Sequence, residues 1–211
     1  MRTSAVPPSR GRPRTITRER IADAGIALGL PALTFVGVAG ALGVTHMALY
    51  KHVPSLEALK QLVAEEIFAR WPLPRADAQP PQPLADYLVR FIASLRDLVR
   101  AHPGLAPHLI RRSAATAPMR AKIADHQNQV AAAYGLPTDR ARWLLSTLAF
   151  HCIAVADTLY AGLSAEERAA DEAEIEAEFG WGMHTLLLGA LRVIEENLPL
   201  DTPSFRAPAA R

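Results

Sequence analysis

The stretch TFVGVAGALGVTHMALYKHV, residues Thr34–Val53, decides the fold of the N-terminal part of the chain. Ala39 is small enough for two helices to cross closely, and Gly43, four positions later, allows the positive φ that a tight turn needs. The apolar contacts between the two helices come from Val38, Leu42, Val44 and Leu49. This spacing predicts a helix-turn-helix whose short second helix can lie in a DNA major groove. The alternative is a pair of core helices joined by a glycine turn.

The sequence on both sides of this stretch extends the pattern. A predicted helix at 17–29 follows a basic segment, RGRPR, and the string LYKHVPSLEAL from Leu49 to Leu59 runs through a second turn into the next helix. Residues 11–70 resemble the DNA-binding domain of TetR-family transcriptional repressors. The resemblance implies an all-α fold, in which an N-terminal three-helix helix-turn-helix domain precedes a larger C-terminal helical domain for ligand binding and dimerisation.

The resemblance also assigns DNA contacts to residues of this motif. The family reads base edges with the residues that correspond to Thr45, His46 and Met47, at the start of the recognition helix. It contacts backbone phosphates with the residues that correspond to Tyr50 and His52. Hydroxyl groups, a ring N–H and a helix N-terminus all suit phosphate oxygens.

Further positions near the motif carry groups that suit DNA. Thr34 corresponds to a residue that caps the preceding helix close to DNA, and Lys51 lies on the same short helix as the base-reading residues. Arg12 and Arg14 belong to a basic, proline-stiffened arm that can enter a minor groove, where arginine favours narrow A·T-rich segments. Without DNA the arm is expected to be a solvated, disordered tail.

Two features depart from the family pattern. The position after Ser55, often a phosphate-contacting lysine in the family, is Leu56 here. The helix predicted at 35–42 contains Gly37 and Gly40, each of which costs a helix interior about 1 kcal/mol relative to alanine. Fewer phosphate contacts predict weaker DNA binding with a shallower salt dependence.

Composition is typical of a folded protein, since 50% of the 211 residues are hydrophobic and 21% are charged. The single cysteine, Cys152, excludes an intramolecular disulfide. The basic N-terminus has no apolar signal-peptide segment, and apolar runs such as 186–188 are too short to span a membrane. Residues 1–70 carry a net charge of +4 and the remainder −2, so a polyanion partner is expected only for the first part. We expect a soluble, cytoplasmic protein.

Helices are predicted along the whole chain, because apolar residues recur at spacings of three and four and proline stands at the breaks. The predicted helices are 17–29, 35–42, 46–52, 55–70, 84–101, 104–112, 117–134, 138–161, 165–178 and 180–197. Proline is dense at 71–83, which predicts a linker between a DNA-binding domain at 17–70 and a ligand-binding and dimerisation domain at 84–200. Residues 1–16 are predicted to be a disordered basic arm and residues 201–211 a disordered tail.

The predicted helix at 138–161 is apolar on most sides, which predicts burial on most sides. One stripe along it nevertheless carries polar atoms, at Thr147, His151 and Thr158. Thr147 and His151 are the candidates for groups that orient a small, mainly apolar effector in an aliphatic cavity. The alternative, which the sequence favours, is that these side chains lie in the core or an interface and bond to their own helix backbone.

The last predicted helix carries a stripe of small and apolar residues: Gly182, Leu186, Gly189 and Val193. Glycines at this spacing permit close helix approach, and TetR-family proteins resemble one another in pairing their last two long helices as a four-helix bundle. The stripe is therefore predicted to form the interface of a homodimer, which would suit a pseudo-palindromic operator. Packing within one chain is the alternative.

No metal, cofactor or enzyme motif is recognised in the sequence. The histidines lie on separate predicted helices without zinc-ligand spacing, so no metal and no cofactor are predicted. The Gly-x-Ser-x-Gly, His-Glu-x-x-His and P-loop patterns are missing, which argues against an enzyme. We expect a ligand-responsive repressor that binds a double-stranded DNA operator as a homodimer. The alternatives are a helical protein-interaction module with a degraded DNA-binding surface and, less favoured, an enzyme.

Overall fold

The computed structural model describes residues 16–76, 82–160 and 165–200. All regular elements in these ranges are helices, which confirms the all-α fold predicted from the sequence. The arm with Arg12 and Arg14, the tail at 201–211 and part of the predicted linker lie outside the described residues. The chain divides into two compact units, Met1–Glu66 and Ile67–Arg211.

The first unit contains the predicted helix-turn-helix. Its helices are α1 (Arg18–Leu28), α2 (Phe35–Leu42), α3 (His46–Leu49) and the first part of α4 (Leu56–Arg70), with a 3₁₀ turn at Leu30–Ala32. The predicted start signals are present, since Thr17 Oγ1 accepts a hydrogen bond from the Arg20 amide (3.3 Å) and Ser55 Oγ accepts one from the Ala58 amide (3.1 Å). These side-chain caps fix where α1 and α4 begin.

Apolar side chains from the four helices and the segments between them form the core of the first unit. The buried residues include Ile21, Ala22, Leu30, Leu33, Val38, Ala39, Leu49, Val53, Leu59 and Val63. Gly25 of α1 faces α4 so closely that a Cβ there would lie 2.3 Å from Val63 Cγ2. This glycine therefore permits the close approach of α1 and α4.

The second unit is built around one central helix. After the end of α4 its elements are α5 (Leu84–Ala101), α6 (Ala106–Ile110), α7 (Ala117–Tyr134), α8 (Thr138–Tyr160), α9 (Ala165–Ala170) and α10 (Glu172–Glu195). Helix α8 packs against α5, α6, α7 and α10. Its Leu144, Leu148 and Cys152 side chains are fully buried, and the Cys152 thiol donates to the Ile92 carbonyl of α5 at 3.5 Å.

Helix α8 is long and apolar enough, by length and composition, to cross a membrane, which the short apolar runs of the sequence did not indicate. Its buried face packs against four other helices of the second unit. Its first two turns carry Asp139, Arg140 and Arg142, and Asp157 follows near its end. The apolar composition of α8 is therefore weak evidence for a membrane span.

The boundary between α9 and α10 differs from the prediction. The sequence predicted separate helices at 165–178 and 180–197, whereas the chain breaks at Asp171 and α10 continues through Gly180 and Gly182. Phe179 and Met183 lie on the buried face of α10 on either side of these glycines. Burial of large apolar side chains outweighs the helix propensity that is lost at glycine.

The segment that follows α4 packs in the second unit. The sequence assigned residues 71–83 to a linker, but Trp71 and Ala76 are buried. The Trp71 indole Nε1 donates to Ser94 Oγ of α5 at 2.9 Å. An aromatic side chain at the end of α4 therefore anchors the start of the proline-rich segment, and the division at Glu66 lies within α4 rather than after it.

Candidate nucleic-acid interface and ligand cavity

Helix α3 and the turn after it leave the predicted DNA-contacting side chains exposed. These side chains are Thr45, His46, Met47, Tyr50, Lys51 and His52. Leu49 and Val53, by contrast, are buried and fix this segment to the core of the first unit. Thr45 precedes α3, and its hydroxyl group makes no capping hydrogen bond to that helix, so this hydroxyl can face a ligand. The DNA contacts themselves stay predictions.

The turn between α2 and α3 has the geometry that the sequence predicted. Gly43 has a φ of 68°, in the left-handed region, and ends α2. Its amide donates to the Gly40 carbonyl at 3.2 Å, and the Val44 amide donates to the Ala39 carbonyl at 3.0 Å. Ala39 itself is buried. The small residue and the glycine therefore meet the two requirements of a helix-turn-helix.

An aromatic stack positions Tyr50, and sequence reasoning missed it. The Tyr50 and Phe35 rings lie 4.3 Å apart between centroids, with 14° between their planes. Phe35 is the first residue of α2, so the stack joins the start of α2 to the residue that follows α3. Helix α3 is shorter than the predicted 46–52, since it ends at Leu49 and residues 50–52 form a turn. The signal in the sequence was the presence of two aromatic residues, Phe35 and Tyr50, on either side of the turn.

The start of α2 explains one of its two glycines. Thr34 is exposed, and its Oγ1 accepts a hydrogen bond from the Gly37 amide at 3.0 Å. A Cβ at Gly37 would lie 3.0 Å from the same Oγ1 and 3.3 Å from Leu28 Cδ1, so alanine would crowd the cap. At Gly40 no atom of the described chain lies within 4 Å of the Cβ position. Glycine at position 40 therefore has no steric cause within the described part of the first unit.

Apolar side chains share the exposed surface of the first unit with the polar ones. Val36 of α2 is exposed, and Leu56, at the start of α4, is 41% exposed. Leu56 occupies the position where the resemblance implies a phosphate-contacting lysine. Because the side chain is exposed, a longer cationic group has room there.

The second unit contains a cavity of about 210 Å³. Its walls come from the end of α4, the segment after it, and helices α5 to α8. Most of the lining is apolar and includes Phe68, Trp71, Leu73, Phe91, Leu95, Leu109, Ile110, Met119, Ile123, Leu145, Phe150 and Ile153. The polar side chains are His126, Gln127 and Ser146, and no charged side chain of the described residues lines the cavity. Such a cavity favours an uncharged, mainly apolar molecule.

Thr147 and His151 do not line this cavity. His151 is exposed on α8, and its Nδ1 donates to the Thr147 carbonyl at 2.8 Å. Thr158 Oγ1 donates in the same way to the Ala154 carbonyl at 2.8 Å. The polar stripe therefore belongs to the outward side of α8 and bonds to its own helix, which was the alternative interpretation. The geometry therefore favours the polar residues of the cavity over Thr147 and His151 as ligand-orienting groups.

His126 of α7 forms a buried pair with Tyr87 of α5. The Tyr87 hydroxyl oxygen lies 2.5 Å from His126 Nε2, and both residues are buried. Burial, with a smaller contribution from the positive charge of Lys122, lowers the pKa of His126 from 6.5 to about 4. Burial also raises the pKa of Tyr87 above its ordinary value. Both side chains are therefore uncharged at neutral pH. No sequence signal indicated the pair, because its members are 39 positions apart.

Lys122 of α7 holds the C-terminal end of α4. Its Nζ donates to the carbonyls of Phe68 (2.9 Å), Ala69 (2.8 Å) and Trp71 (2.7 Å). The last carbonyls of a helix have no partner within the helix, and a positive charge is favourable beside them. Burial lowers the pKa of Lys122 from its ordinary value. The ammonium group thus stabilises the helix end that carries Phe68 into the cavity wall.

The predicted dimer stripe on α10 is partly exposed. Gly182 and Gly189 are exposed, and Leu186 and Val193 are half-buried. No atom of the described chain lies within 4 Å of a Cβ position at either glycine. Helices α8 and α10 also expose three large apolar side chains that the prediction missed: Phe150 (51%), Trp181 (76%) and Leu188 (55%). The role of this surface in a dimer stays a prediction.

These features define a class of protein by its fold. A helix-turn-helix unit with an exposed second helix precedes a larger helical unit that contains a mainly apolar cavity. Helix α4 begins in the first unit and ends in the second. The fold is that of TetR-family regulators, as the resemblance implied, and solved structures of that family match most of the chain.

Three solved structures illustrate the match. A single-residue variant of TetR from Acinetobacter baumannii AYE, in complex with minocycline, has a TM-score of 0.67 and 22% identity, with 85% of this chain and 98% of that chain covered. ActR from Streptomyces coelicolor, in complex with actinorhodin, has a TM-score of 0.66 and 20% identity, with 87% and 99% covered. Apo ActR has a TM-score of 0.65 and 22% identity, with 89% and 99% covered. Neither a family model nor a curated protein matches the sequence.

Proposed function

We propose that the chain is a ligand-responsive transcriptional repressor that binds a pseudo-palindromic, double-stranded DNA operator as a homodimer. The observation that carries the proposal is the exposed side of α3, where Thr45, His46 and Met47 follow a turn of helix-turn-helix geometry. The fold shared with TetR-family regulators supports it. A soluble, cytoplasmic repressor of this kind meets DNA and metabolites in one compartment.

In the proposed complex, α3 enters the major groove. Thr45 and His46 carry hydrogen-bonding groups that suit base edges, and Met47 can contact the methyl group of thymine. Tyr50 and Lys51 carry an O–H donor and an ammonium group that suit phosphate oxygens. The Phe35 stack holds the Tyr50 ring in place before DNA arrives, so less side-chain freedom is lost on binding.

Selection of bound duplexes from a random pool, with the full-length protein, tests DNA binding. We expect enriched sequences that contain two related half-sites about one helical turn, or a multiple of it, apart. On a selected duplex, Tyr50→Phe keeps the ring stack and removes the hydroxyl group, so affinity should fall about tenfold. Tyr160→Phe, which removes a hydroxyl group from the second unit, is the matched control. A pool without enriched sequences would contradict the proposal.

The arm is tested on the same duplex. Replacement of both Arg12 and Arg14 by alanine should weaken binding to all sequences and lower the salt slope by up to about 0.9 for each lost phosphate contact. Fluorescence anisotropy titrations at several salt concentrations measure the slope. An unchanged slope would remove the arm from the DNA-binding surface.

The homodimer proposal rests on α10. Gly182 and Gly189 each cost a helix about 1 kcal/mol relative to alanine, and a Cβ at either position would meet no atom of the described chain within 4 Å. A second copy that packs closely on this face would account for both glycines. Trp181 and Leu188 are exposed beside them, and burial of each would stabilise a dimer by about 2 kcal/mol.

Sedimentation velocity tests the dimer with two matched variants. Leu188→Glu adds a charge to the proposed interface, whereas Val89→Glu adds one to a similarly exposed apolar position on α5 (52% exposed, against 55% for Leu188). We expect the unchanged protein and Val89→Glu to be dimers, and Leu188→Glu to be a monomer with much weaker operator binding. A dimeric Leu188→Glu variant would exclude this face of α10 as the interface.

The cavity of the second unit is the proposed effector site. Solved structures of the same fold contain minocycline and actinorhodin, which supports a small-molecule ligand for this chain. Phe68, in the last turn of α4, lines the cavity, and α4 begins in the first unit. A ligand that favours another position of α4 would change the separation of the two α3 helices in a dimer and release DNA. Thermal-shift screening of apolar compounds beside charged metabolites, with DNA release measured for each hit, tests this step.

Two other functions make different predictions in the same experiments. A helical protein-interaction module would retain no duplex from the pool and would show no salt-dependent DNA binding. An enzyme would need catalytic side chains in the cavity, where the described lining offers only His126, Gln127 and Ser146 among polar residues. Enrichment of a pseudo-palindromic duplex favours the repressor over both.

A further inference from the structure

Among the described polar side chains of the cavity, His126 keeps a hydrogen-bonding atom that no other described residue uses. Gln127 Nε2 donates to Ser146 Oγ at 3.2 Å, so these two side chains use part of their capacity on each other. His126 bonds through Nε2 to Tyr87, and its Nδ1 makes no hydrogen bond to the described residues. His126 is part of the mainly apolar cavity lining, so its Nδ1 is the candidate atom for a directed polar contact with a molecule there.

The burial of Tyr87 decides which nitrogen of His126 carries the proton. Tyr87 is 0% exposed, and among the described residues its hydroxyl group has one hydrogen-bond partner, His126 Nε2. If Nε2 carried the proton, it would donate to the phenol oxygen and leave the phenol proton buried without an acceptor, which costs free energy. The favourable arrangement has Tyr87 donating to Nε2 and the histidine proton on Nδ1. Tyr87 is thus a positioning residue for the His126 tautomer.

The cavity offers this N–H donor without a formal charge. Burial keeps the pKa of His126 near 4, so the imidazole is neutral at neutral pH. The nearby cation, Lys122, directs its Nζ to three backbone carbonyls at the end of α4. No charged side chain of the described residues lines the cavity to balance a carboxylate or phosphate. An anion would have no charged partner in the cavity lining, although Arg75 and Lys122 line an adjoining pocket that shares Leu73 and His126.

The cavity has room for a single ring. An apolar cavity of roughly 150 Å³ in another protein binds benzene. The volume here is about 210 Å³, which leaves space for a six-membered ring with one or two small substituents. The aromatic and aliphatic lining complements such a ring, and the Nδ1–H of His126 complements one acceptor atom.

We infer that the cavity takes a neutral, single-ring molecule with one hydrogen-bond acceptor, such as an aryl ketone, and that the acceptor binds the Nδ1–H of His126 in the tautomer that Tyr87 selects. This inference rests on the proposed effector role of the cavity and adds the chemical class of the effector. It also names a specificity residue, His126, and its positioning residue.

Three probes of nearly equal shape test the inference on the full-length protein. Acetophenone carries the acceptor, α-methylstyrene replaces its carbonyl oxygen with a methylene group, and benzoate carries a negative charge. The acetophenone-to-α-methylstyrene affinity ratio, measured by NMR titration, should fall at least tenfold when Tyr87→Phe and His126→Phe are combined. This double variant replaces the polar pair with two apolar rings and leaves no buried hydroxyl group at these two positions. Comparing ratios cancels the different water solubilities of the two probes. Benzoate should bind most weakly of the three.

The tautomer has its own spectroscopic test. In a two-bond ¹H–¹⁵N correlation spectrum of the ¹⁵N-histidine-labelled protein, His126 should show the pattern of a proton on Nδ1. The resonances assigned to His126 are those lost in the double variant. Tyr87→Phe alone should convert His126 to a mixture of tautomers and lower the affinity ratio, whereas a purely structural role of Tyr87 would leave both unchanged.

The results that would contradict this inference differ from those that would contradict the proposed effector role. A proton on Nε2, an affinity ratio unchanged in the double variant, or benzoate as the tightest probe would each overturn the inference, whether or not the protein binds an operator. If the ratio falls as expected but acetophenone leaves operator binding unchanged, the ligand class of the cavity is supported and the proposed effector response is wrong.

Discussion

The two units of the chain hold their functional side chains in opposite ways. In the first unit, the capping side chains of Thr34 and Ser55 each accept a hydrogen bond from the amide three residues further along the chain. The predicted DNA-contacting residues lie on the surface. In the second unit, the Tyr87–His126 bond joins residues 39 positions apart, and Lys122 reaches carbonyls more than 50 positions away. A DNA-reading surface thus follows from local spacing, whereas the cavity is assembled from distant segments. The two units should therefore respond to different perturbations.

The largest expected effect is a loss of stability of the second unit in acid. The pKa of His126 is about 4 in the folded protein, against an ordinary 6.5, so between these values the unfolded chain binds more protons than the folded chain. The free energy of unfolding therefore falls as the pH falls through this range, by up to about 3 kcal/mol. Urea denaturation at several pH values measures this loss.

The double variant Tyr87→Phe, His126→Phe is the control for the acid effect. It has two aromatic rings in place of the titrating pair, so the part of the acid sensitivity that comes from His126 should disappear. If the double variant loses as much stability in acid as the unchanged protein, His126 is not the group that titrates.

Alanine substitutions at two glycines of the first unit should have opposite effects on stability. Gly25→Ala should lower the free energy of unfolding by about 2 kcal/mol, because the new Cβ would lie 2.3 Å from Val63 Cγ2. Gly40→Ala should raise it by about 1 kcal/mol, because no described atom lies within 4 Å and alanine favours the helix. Thermal denaturation measures both. Adding Val63→Ala to Gly25→Ala should recover part of the loss, and equal effects of the two alanine substitutions would contradict close packing of α1 on α4.

Lys122 tests how much long-range polar contacts stabilise the second unit. Lys122→Met removes three hydrogen bonds to carbonyls at the end of α4 and should lower the free energy of unfolding by about 1.5 kcal/mol. Arg142→Met, at an exposed basic residue of α8, should change stability by less than about 0.5 kcal/mol. Chemical denaturation measures the free energy of unfolding of both variants. If the two variants are equally stable, the end of α4 needs no ammonium group.

The smallest expected effect concerns the apolar position on the first unit. Leu56→Lys adds a cation at an exposed site and should tighten DNA binding about fivefold, with a steeper salt dependence and little change in base preference. Leu56→Gln, a polar side chain without charge, is the control and should leave the salt slope unchanged. Equal or weaker binding by the lysine variant would mean that the protein docks with a geometry different from that of its structural relatives.

Local features of the first unit could be predicted because their causes lie within a few residues. The Ala39 and Gly43 spacing, and the Thr17 and Ser55 caps, depend on neighbours in the sequence, and the structure contains each of them. The stack of Tyr50 on Phe35 was missed, because a stack across two helices depends on their crossing and not on spacing alone.

The second unit was harder to predict, because helical periodicity shows which residues share a face but not which way the face turns. Thr147 and His151 do share one stripe of α8, yet that stripe faces outward. The sequence likewise predicted a helix break between 178 and 180, whereas burial of Phe179 and Met183 carries α10 through this point. Both features depend on packing partners that lie far away in the chain.

The buried thiol of Cys152 can report the opening of the second unit. Burial raises its pKa to about 12, so the reactive thiolate is scarce at neutral pH, and a thiol reagent reaches the sulfur only when α8 parts from α5. The labelling rate of this single cysteine therefore times the opening of the unit without an engineered probe. A molecule that binds only the closed form slows labelling in proportion to its concentration over its Kd. Metabolite mixtures can thus be ranked by the protection they give to one sulfur atom, before any operator is known.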